Sequence, residues 1–111
     1  MFVYISGKIR GNENYYADFK KAELWLKLKD YAVINPAKVV ESLPLTKMSE
    51  SQIMKIDYAL IDVCDAIFML DCWQKSKGAC AELSYAKSIG KKVMYQDYFK
   101  EFKKKGVEYV Y

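Results

Sequence analysis

The chain has 111 residues, of which 52% are hydrophobic and 29% are charged, and its formal net charge is +4. These values are typical of one globular domain and exclude a disordered chain. No apolar run approaches the roughly 20 residues of a membrane-spanning helix, and the first residues lack the form of a signal peptide. We therefore expect a single domain over residues 1–111, a cytoplasmic location and no membrane partner.

The residue types present limit the chemistry. The chain has no histidine, which excludes Ser–His and Cys–His nucleophile pairs and argues against zinc catalysis. Its cysteines are Cys64, Cys72 and Cys80, and this spacing of eight matches no zinc or redox motif. We expect Cys64 and Cys80 to be reduced core residues. Acid–base chemistry must then fall to carboxylates, tyrosines or lysines, without a metal or organic cofactor.

The positive charge predicts small anionic ligands rather than polymeric nucleic acid. A nucleic-acid-binding domain usually concentrates its charge in a dense patch, whereas the lysines here are scattered along the chain. The exception is the run at 103–105, which we interpret as a solvated helix face.

Strand and helix signals alternate along the chain. They predict strands at 2–5, 31–34, 65–70 (the central one) and 92–96, with an edge strand at 107–111. Helices are predicted at about 15–29, capped by Asn12 or Asn14, at 49–63, opened by a capping box, and at 78–89. A loop is predicted at 37–48 and a helical turn before Gly106. The predicted fold is a Rossmann/flavodoxin-like three-layer α/β sandwich with a mostly parallel sheet of four or five strands.

In such sheets a ligand binds beyond the carboxyl ends of the strands, where the strand order reverses. This rule selects the loop after the first strand, which reads Ser6, Gly7, Lys8, Ile9, Arg10, Gly11. Glycines let backbone N–H groups approach an anion, and an arginine can bind a phosphate with two hydrogen bonds. The loop is neither a Walker A motif nor a full dinucleotide fingerprint, so an ordinary strand-to-helix turn is the alternative. Tyr4 points toward the same edge or into the core.

The rule also selects the loop after the third strand, which leads into a helix through Ser76 and Gly78. Ser76 suits the N-cap of that helix and also the binding of a phosphate, two roles that compete for one hydroxyl. Glu82 follows in the first turns of the helix. It is either a glutamate that interacts with the helix dipole or a carboxylate aimed over the sheet edge.

Asp57 lies within the apolar stripe of the preceding helix, between Ile53 and Leu60. A carboxylate that faces a core needs a partner or a function, unless it reaches solvent or a lysine at the margin of the stripe. Two carboxylates near one sheet edge suit glycosyl chemistry, because one attacks the sugar carbon while the other handles the proton.

Three segments, Tyr4–Gly11, Cys64–Leu70 and Ser76–Ala86 with the following Gly90–Val93, resemble the nucleoside 2-deoxyribosyltransferase-like superfamily. They are similar to its opening strand and loop, its third strand, and its catalytic helix with the next strand. Within the superfamily the chain resembles a family of small, often phage-encoded proteins. The better-characterised relatives are deoxynucleoside 5′-monophosphate N-glycosidases.

The resemblance implies roles for particular residues. Glu82 matches the nucleophile that bonds to the deoxyribose C1′, and Asp57 matches the acid/base aspartate within one residue of spacing. Ser76 stands where the monophosphate glycosidases have a phosphate-binding serine and the nucleoside transferases an aspartate. Lys8 departs from the small residue or proline that is usual in the phosphate loop. The resemblance also implies a homodimer or higher oligomer, in which a neighbour completes the pocket.

The leading hypothesis is hydrolysis, or base exchange, at the N-glycosidic bond of a 2′-deoxynucleoside 5′-monophosphate. Glu82 and Asp57 would act with Tyr4 as a third candidate, and the phosphate would be held by residues 6–11, Ser76 and Gly78. One alternative is a non-catalytic protein that senses or sequesters a nucleotide, and another is a structural subunit with a vestigial pocket. A cytokinin-type phosphoribohydrolase is disfavoured because the P-G-G-x-G-T segment of that family is missing.

Overall fold

The protein is described by a computed structural model over residues 1–71 and 73–96. Its elements are β1 (Phe2–Ser6), α1 (Tyr15–Leu28), β2 (Ala32–Ile34), α2 (Pro36–Glu41), a 3₁₀ turn (Leu45–Lys47), α3 (Glu50–Asp62), β3 (Ala66–Met69), a second 3₁₀ turn (Trp73–Lys75), α4 (Lys77–Ser88) and β4 (Lys92–Tyr95). The predicted alternation of strands and helices is confirmed over this part of the chain.

The sheet has the strand order β2-β1-β3-β4, and every pair of neighbours is parallel. The architecture is the predicted Rossmann/flavodoxin-like α/β fold, with four parallel strands in the described ranges. The strand order reverses between β1 and β3, so both loops selected from the sequence lie at the switch point. The predicted helical turn before Gly106 and the edge strand at 107–111 lie outside the described residues.

Side-chain alternation along β1 separates the two faces of the sheet. Val3 and Ile5 pack into a core with α1, whereas Tyr4 faces the opposite side and packs with residues of α3 and α4. One core lies between the sheet and α1, and the other lies between the sheet and the pair α3 and α4, so the helices form the outer layers of a three-layer sandwich. They also place the Tyr4 side chain on the face where the two later helices approach the sheet edge.

The loop predicted over 37–48 is wrong, because this segment contains α2 and a 3₁₀ turn. Asn35 caps α2 by accepting a hydrogen bond from the Ala37 backbone N–H at 3.0 Å, and Pro36 occupies the first helical position. A proline at the first helical position costs no hydrogen bond, so Pro36 is compatible with the start of a helix as well as with a turn. The capping box of Ser49 and Gln52 at the start of α3 is confirmed.

The caps predicted for α1 are not formed as expected. Asn14 occupies the N-cap position, but its side chain makes no capping hydrogen bond. The Asn12 side chain instead accepts a hydrogen bond from the Asn14 backbone N–H at 3.1 Å, which organises the turn before the helix.

The cysteine prediction is confirmed for Cys64, which is buried and free, and burial raises its pKa to about 11. It is wrong for the burial of Cys80, a free cysteine that is only half-buried. Cys72 and the lysine run at 103–105 lie outside the described residues. In the ranges that the structure describes, no helix is both long and apolar enough to cross a bilayer, and no cluster of acidic and cysteine residues is arranged to hold a metal ion.

Glu23 of α1 is a buried carboxylate that connects α1 to the start of α2. Its oxygens accept hydrogen bonds from Asn35 at 3.0 Å, Lys27 at 2.6 Å and Lys38 at 3.2 Å. Burial alone would raise the pKa of Glu23, but these three donors outweigh it and lower the pKa to about 2. The cluster is therefore a fully paired structural ion group behind one wall of the cavity described below.

Candidate active site

A cavity of about 580 Å³ opens at the C-terminal edge of the sheet, within the size range of small-molecule sites. It brings together most of the candidates selected from the sequence, namely Tyr4, Gly7, Lys8, Ile9, Arg10, Asp57, Ser76, Gly78 and Glu82. Two candidates from the first loop, Ser6 and Gly11, do not line it. Ser6 lies beneath its floor, and Gly11 adopts a positive φ of 73° in the turn toward α1.

Two carboxyl groups from different helices meet in this cavity. Asp57 of α3 is 8% exposed and Glu82 of α4 is 7% exposed. Glu82 shares the inward face of α4 with Ala79, Leu83 and Ala86, because residues three or four positions apart share one side of a helix. Asp57 lies one turn before the buried Ile61 on α3. The packing of both helices on the sheet therefore carries the two acids inward together.

The pKa values of Asp57 and Glu82 are both raised above those of ordinary carboxyl groups. Burial raises the pKa of Glu82 well above its usual value, and the charge of Asp57 raises it further. Burial also raises the pKa of Asp57, although the neighbouring Glu82 and Tyr4 side chains partly offset this. Burial and the proximity of the two groups thus both oppose their simultaneous ionisation. This is the condition in which one carboxyl group can act as an acid while the other acts as a base.

Two hydroxyl groups from β1, those of Tyr4 and Ser6, lie next to the acids. Ser6 donates a hydrogen bond to Glu82 Oε1 at 2.7 Å, and this bond lowers the pKa of the Glu82 carboxyl against the effect of burial. The Tyr4 hydroxyl adjoins both acids; its pKa is raised well above the usual value by burial first and then by the two nearby charges. Within residues 1–71 and 73–96 it makes no hydrogen bond of normal geometry, which leaves a buried donor facing the cavity.

The first loop forms one side of the cavity entrance. A Cβ atom added to Gly7 would lie 2.9 Å from the Leu70 Cβ, so only glycine allows β1 and the end of β3 to approach so closely here. The Asn12 side chain donates to the Lys8 carbonyl at 3.1 Å and fixes the turn. Arg10, predicted to bind phosphate, pairs with Glu50 of α3 at 2.7 Å. Both partners are exposed, so the pair is weak enough to exchange for an anionic ligand.

The N-terminus of α4 forms the other side of the entrance. Ser76 caps the helix by accepting a hydrogen bond from the Ala79 backbone N–H at 3.1 Å. This cap uses a lone pair of the hydroxyl and leaves its hydrogen available, so capping and phosphate binding do not exclude each other. Lys75 and Lys77 flank Ser76 and line the cavity. A helix N-terminus with adjacent lysines favours an anion.

The sequence interpretation missed the remaining walls. An apolar surface, which we call the apolar wall, is formed by Phe19, Pro36, Val40, Leu45, Ile53 and Met54. Part of this wall lies in the segment interpreted as a loop. The signal that could have found α2 is the pair Asn35 and Pro36, a good N-cap residue followed by a proline suited to the first helical position. Lys75 and Lys77 belonged to the second selected loop but were not named as site residues.

Residues 1–95 match the model of a family described as a domain of unknown function, DUF4406. The chain belongs to this family. No curated protein matches the sequence. Among solved structures, this DUF4406 chain is similar to the CMP N-glycosidase BcmB of Clostridium botulinum, with 24% sequence identity, a TM-score of 0.59, and coverage of 86% of this chain and 67% of that one. The likeness shows a shared fold, in agreement with the architecture that the sequence resemblance implies.

Proposed function

We propose that the protein cleaves the N-glycosidic bond of a 2′-deoxynucleoside 5′-monophosphate and transfers the sugar phosphate to water or to a second base. The observation that carries this proposal is the buried pair of Asp57 and Glu82, which come from different helices and line one cavity with a cationic entrance. The nucleotide N-glycosidase with the same fold supports it. That neighbour is a CMP N-glycosidase, so ribonucleotides belong in the same assay.

The first step forms one bond and breaks another. A carboxylate oxygen of Glu82 attacks C1′, and the electron pair of the C1′–N bond moves to the leaving base. Asp57 supplies the proton that neutralises the base, through a transition state with oxocarbenium character. The two acids contact each other in the structure, so a sugar bound between them separates them and leaves the proton on Asp57.

The second step regenerates the enzyme. Water attacks C1′ of the glycosyl ester and breaks its bond to Glu82, while Asp57, now ionised, takes a proton from the water. The products are the free base and 2-deoxyribose 5-phosphate. With a second base as acceptor the same step gives base exchange.

The placement of the acids along their helices matches these roles. Glu82 follows Ser76 and Gly78 by less than two turns of α4, so the nucleophile lies next to the anion-binding entrance. Asp57 follows Ile53 by one turn of α3, so the acid lies next to the apolar wall. A nucleotide with its phosphate at α4 and its base at α3 presents C1′ to Glu82 and the base nitrogen to Asp57.

The β1 hydroxyls are assigned supporting roles. Ser6 is a positioning residue, because its hydrogen bond fixes Glu82 Oε1 and favours the ionised carboxylate. The Tyr4 hydroxyl is a donor next to both acids, and it can stabilise the ionised Glu82 carboxylate before the attack and again when the ester bond breaks in the second step. The phosphate is held by the hydroxyl of Ser76, the backbone N–H groups of the two loops and the lysines and Arg10 at the entrance.

The test is release of free base, measured by chromatography after incubation with each deoxynucleoside 5′-monophosphate, with the unphosphorylated deoxynucleosides and with CMP. We expect release from monophosphates by the wild type and a loss of activity in Glu82→Gln and Asp57→Asn. Glu41→Gln, an exposed glutamate of α2 away from the cavity, is the matched control. Equilibrium binding without release would instead indicate a nucleotide sensor or sequestering protein, and neither binding nor release a structural subunit.

The predicted homo-oligomer and cytoplasmic location stay predictions. Light scattering of the purified protein measures the first. If a neighbour completes the site, base release should depend on protein concentration near the dissociation constant of the oligomer.

A further inference from the structure

The apolar wall contains no residue of α4. It combines residues of α1, α2, the first 3₁₀ turn and α3, and three of them, Phe19, Pro36 and Val40, are buried even though they line the cavity. A flat aromatic ring fits such a surface, because it gains stability by leaving water without needing a polar partner. In the proposed substrate the ring is the nucleobase.

Hydrogen-bonding side chains are scarce on this side of the cavity. Among the described lining residues contributed by α1, α2, the 3₁₀ turn and α3, only Glu50 and Asp57 carry a polar side chain. Asp57 lies next to Glu82 and Tyr4, and in the proposed reaction it faces the nitrogen that joins every base to C1′. Glu50 is 79% exposed at the entrance and is paired with Arg10. Neither acid is therefore placed to distinguish bases by their hydrogen-bond donors and acceptors.

The contrast with the entrance is clear. Four cationic side chains, Lys8, Arg10, Lys75 and Lys77, line the cavity at the two loops that face a phosphate. The polar groups of the site are thus devoted to the phosphate and to C1′. The base would contact the apolar wall, where the strength of binding depends on the size of the ring and on how well it stacks.

We propose that this protein recognises the base by stacking and size, and therefore acts on nucleotides that differ in the hydrogen-bonding groups of the base. The inference rests on the proposed function of the site. A site built to hydrogen-bond a group rejects an analogue without it by about 10⁴-fold or more, whereas an apolar pocket separates ligands of equal size by about 100-fold at most. Cytosine and uracil have the same ring size but opposite donor and acceptor patterns, so they provide the comparison.

The experiment measures the Kd of dCMP and of dUMP by calorimetry with the Glu82→Gln variant, so that differences in leaving-group chemistry do not enter. The expected ratio of the two Kd values is below about 100-fold. Met54→Gln places an amide in the apolar wall and should change the ratio. Met48→Gln, the matched control at a methionine that does not line the cavity, should leave it unchanged.

A ratio above about 100-fold overturns the inference, and so does a strong preference that disappears when Glu50→Gln is added, because Glu50 would then be reading the base. Binding of both nucleotides with a small ratio, but without base release by the wild type, supports the inference about recognition and removes the proposed reaction. Failure of both nucleotides to bind overturns the inference together with the proposed function.

Discussion

Two buried glutamates, Glu23 in a structural ion group and Glu82, the proposed nucleophile, have opposite electrostatic surroundings. Their exposed fractions are nearly equal, at 5% and 7%. Glu23 accepts hydrogen bonds from two lysines and an asparagine, and its pKa falls to about 2. Glu82 accepts one from Ser6 and lies against a second acid, and its pKa rises well above the usual value. Burial raises the pKa of both groups; the hydrogen-bond donors around Glu23 reverse this effect, whereas the charge of Asp57 adds to it at Glu82.

The two residues differ in whether their neighbours stabilise the buried charge. Glu23 has satisfied its oxygens within the protein, so it stabilises the corner between α1 and α2. Glu82 has no cationic partner among the described residues, and it faces a cavity. A fold tolerates such an unfavourable arrangement where function requires it. The following predictions test this difference, from the largest expected effect to the smallest.

Glu82→Gln should reduce base release by at least about 10³-fold, because an amide cannot form the glycosyl bond. The same change should stabilise the fold at neutral and higher pH. A carboxyl whose folded pKa is raised loses stability as the pH rises through that pKa, and the amide does not have this loss. Chromatography and thermal unfolding at two pH values measure the two effects. Unfolding of the variant at a lower temperature than the wild type at pH 8 would contradict the assignment.

Glu23→Gln should behave in the opposite way. Its lowered pKa contributes stability above the ordinary carboxyl pKa, and this contribution is lost as the pH falls toward about 2. Allowing for the partial exposure of both lysines, we expect a loss of about 2 kcal/mol in the free energy of unfolding at pH 7. Denaturant unfolding at pH 7 and at acidic pH tests this. A loss that is as large at pH 2.5 as at pH 7 would mean that packing, not charge, explains it.

Ser76→Ala and Ser76→Asp should separate the cap from the phosphate site. Alanine removes the cap of α4, at a cost of about 1 kcal/mol in stability, and also removes the hydroxyl from the ligand. Aspartate keeps the cap but places a negative charge at the entrance. We expect it to retain the wild-type unfolding temperature while weakening dCMP relative to deoxycytidine in calorimetry. Equal weakening of both ligands would place the phosphate elsewhere.

Ser6→Ala should have the smallest effect on rate at the optimum but should move the pH profile. The Ser6 hydroxyl stabilises the ionised form of Glu82, so its loss raises the pKa of the acid pair. The acidic limb of the profile of kcat/KM should therefore shift to higher pH, a shift that a purely structural role of Ser6 would not produce. Ser6→Thr keeps the hydroxyl, so where the site accepts the extra methyl group the acidic limb of the kcat/KM profile should return to its wild-type pH.

Much of the fold and part of the site follow from the sequence by simple rules. The alternation of strands and helices predicts the parallel sheet, and the switch-point rule predicts the two loops that form the entrance. Asp57 was identifiable because a charge within an apolar stripe requires a reason. The resemblance to a known superfamily, rather than spacing alone, pointed to Glu82 as the nucleophile.

Other features depend on tertiary contacts that a linear pattern does not contain. Glu23 accepts hydrogen bonds from Asn35 and Lys38, which lie outside its helix, and the sequence of α1 does not predict these contacts. Ser6 was interpreted as a phosphate contact, although period-two alternation on β1 could have placed it beside Tyr4 on the face of the later helices. The sequence pattern does not predict α2, because Pro36 is compatible both with a turn and with the first position of a helix.

The most direct test of the central claim is to trap the sugar on Glu82. A deoxynucleoside 5′-monophosphate with fluorine at the 2′ carbon destabilises the oxocarbenium transition state, so that an ester once formed breaks down slowly. Mass spectrometry of the digested protein should then find the mass of the fluorinated sugar phosphate on the peptide that contains Glu82, and no adduct in Glu82→Gln. An adduct on another residue, or undiminished release of base from ordinary deoxynucleotides by Glu82→Gln, would contradict the account.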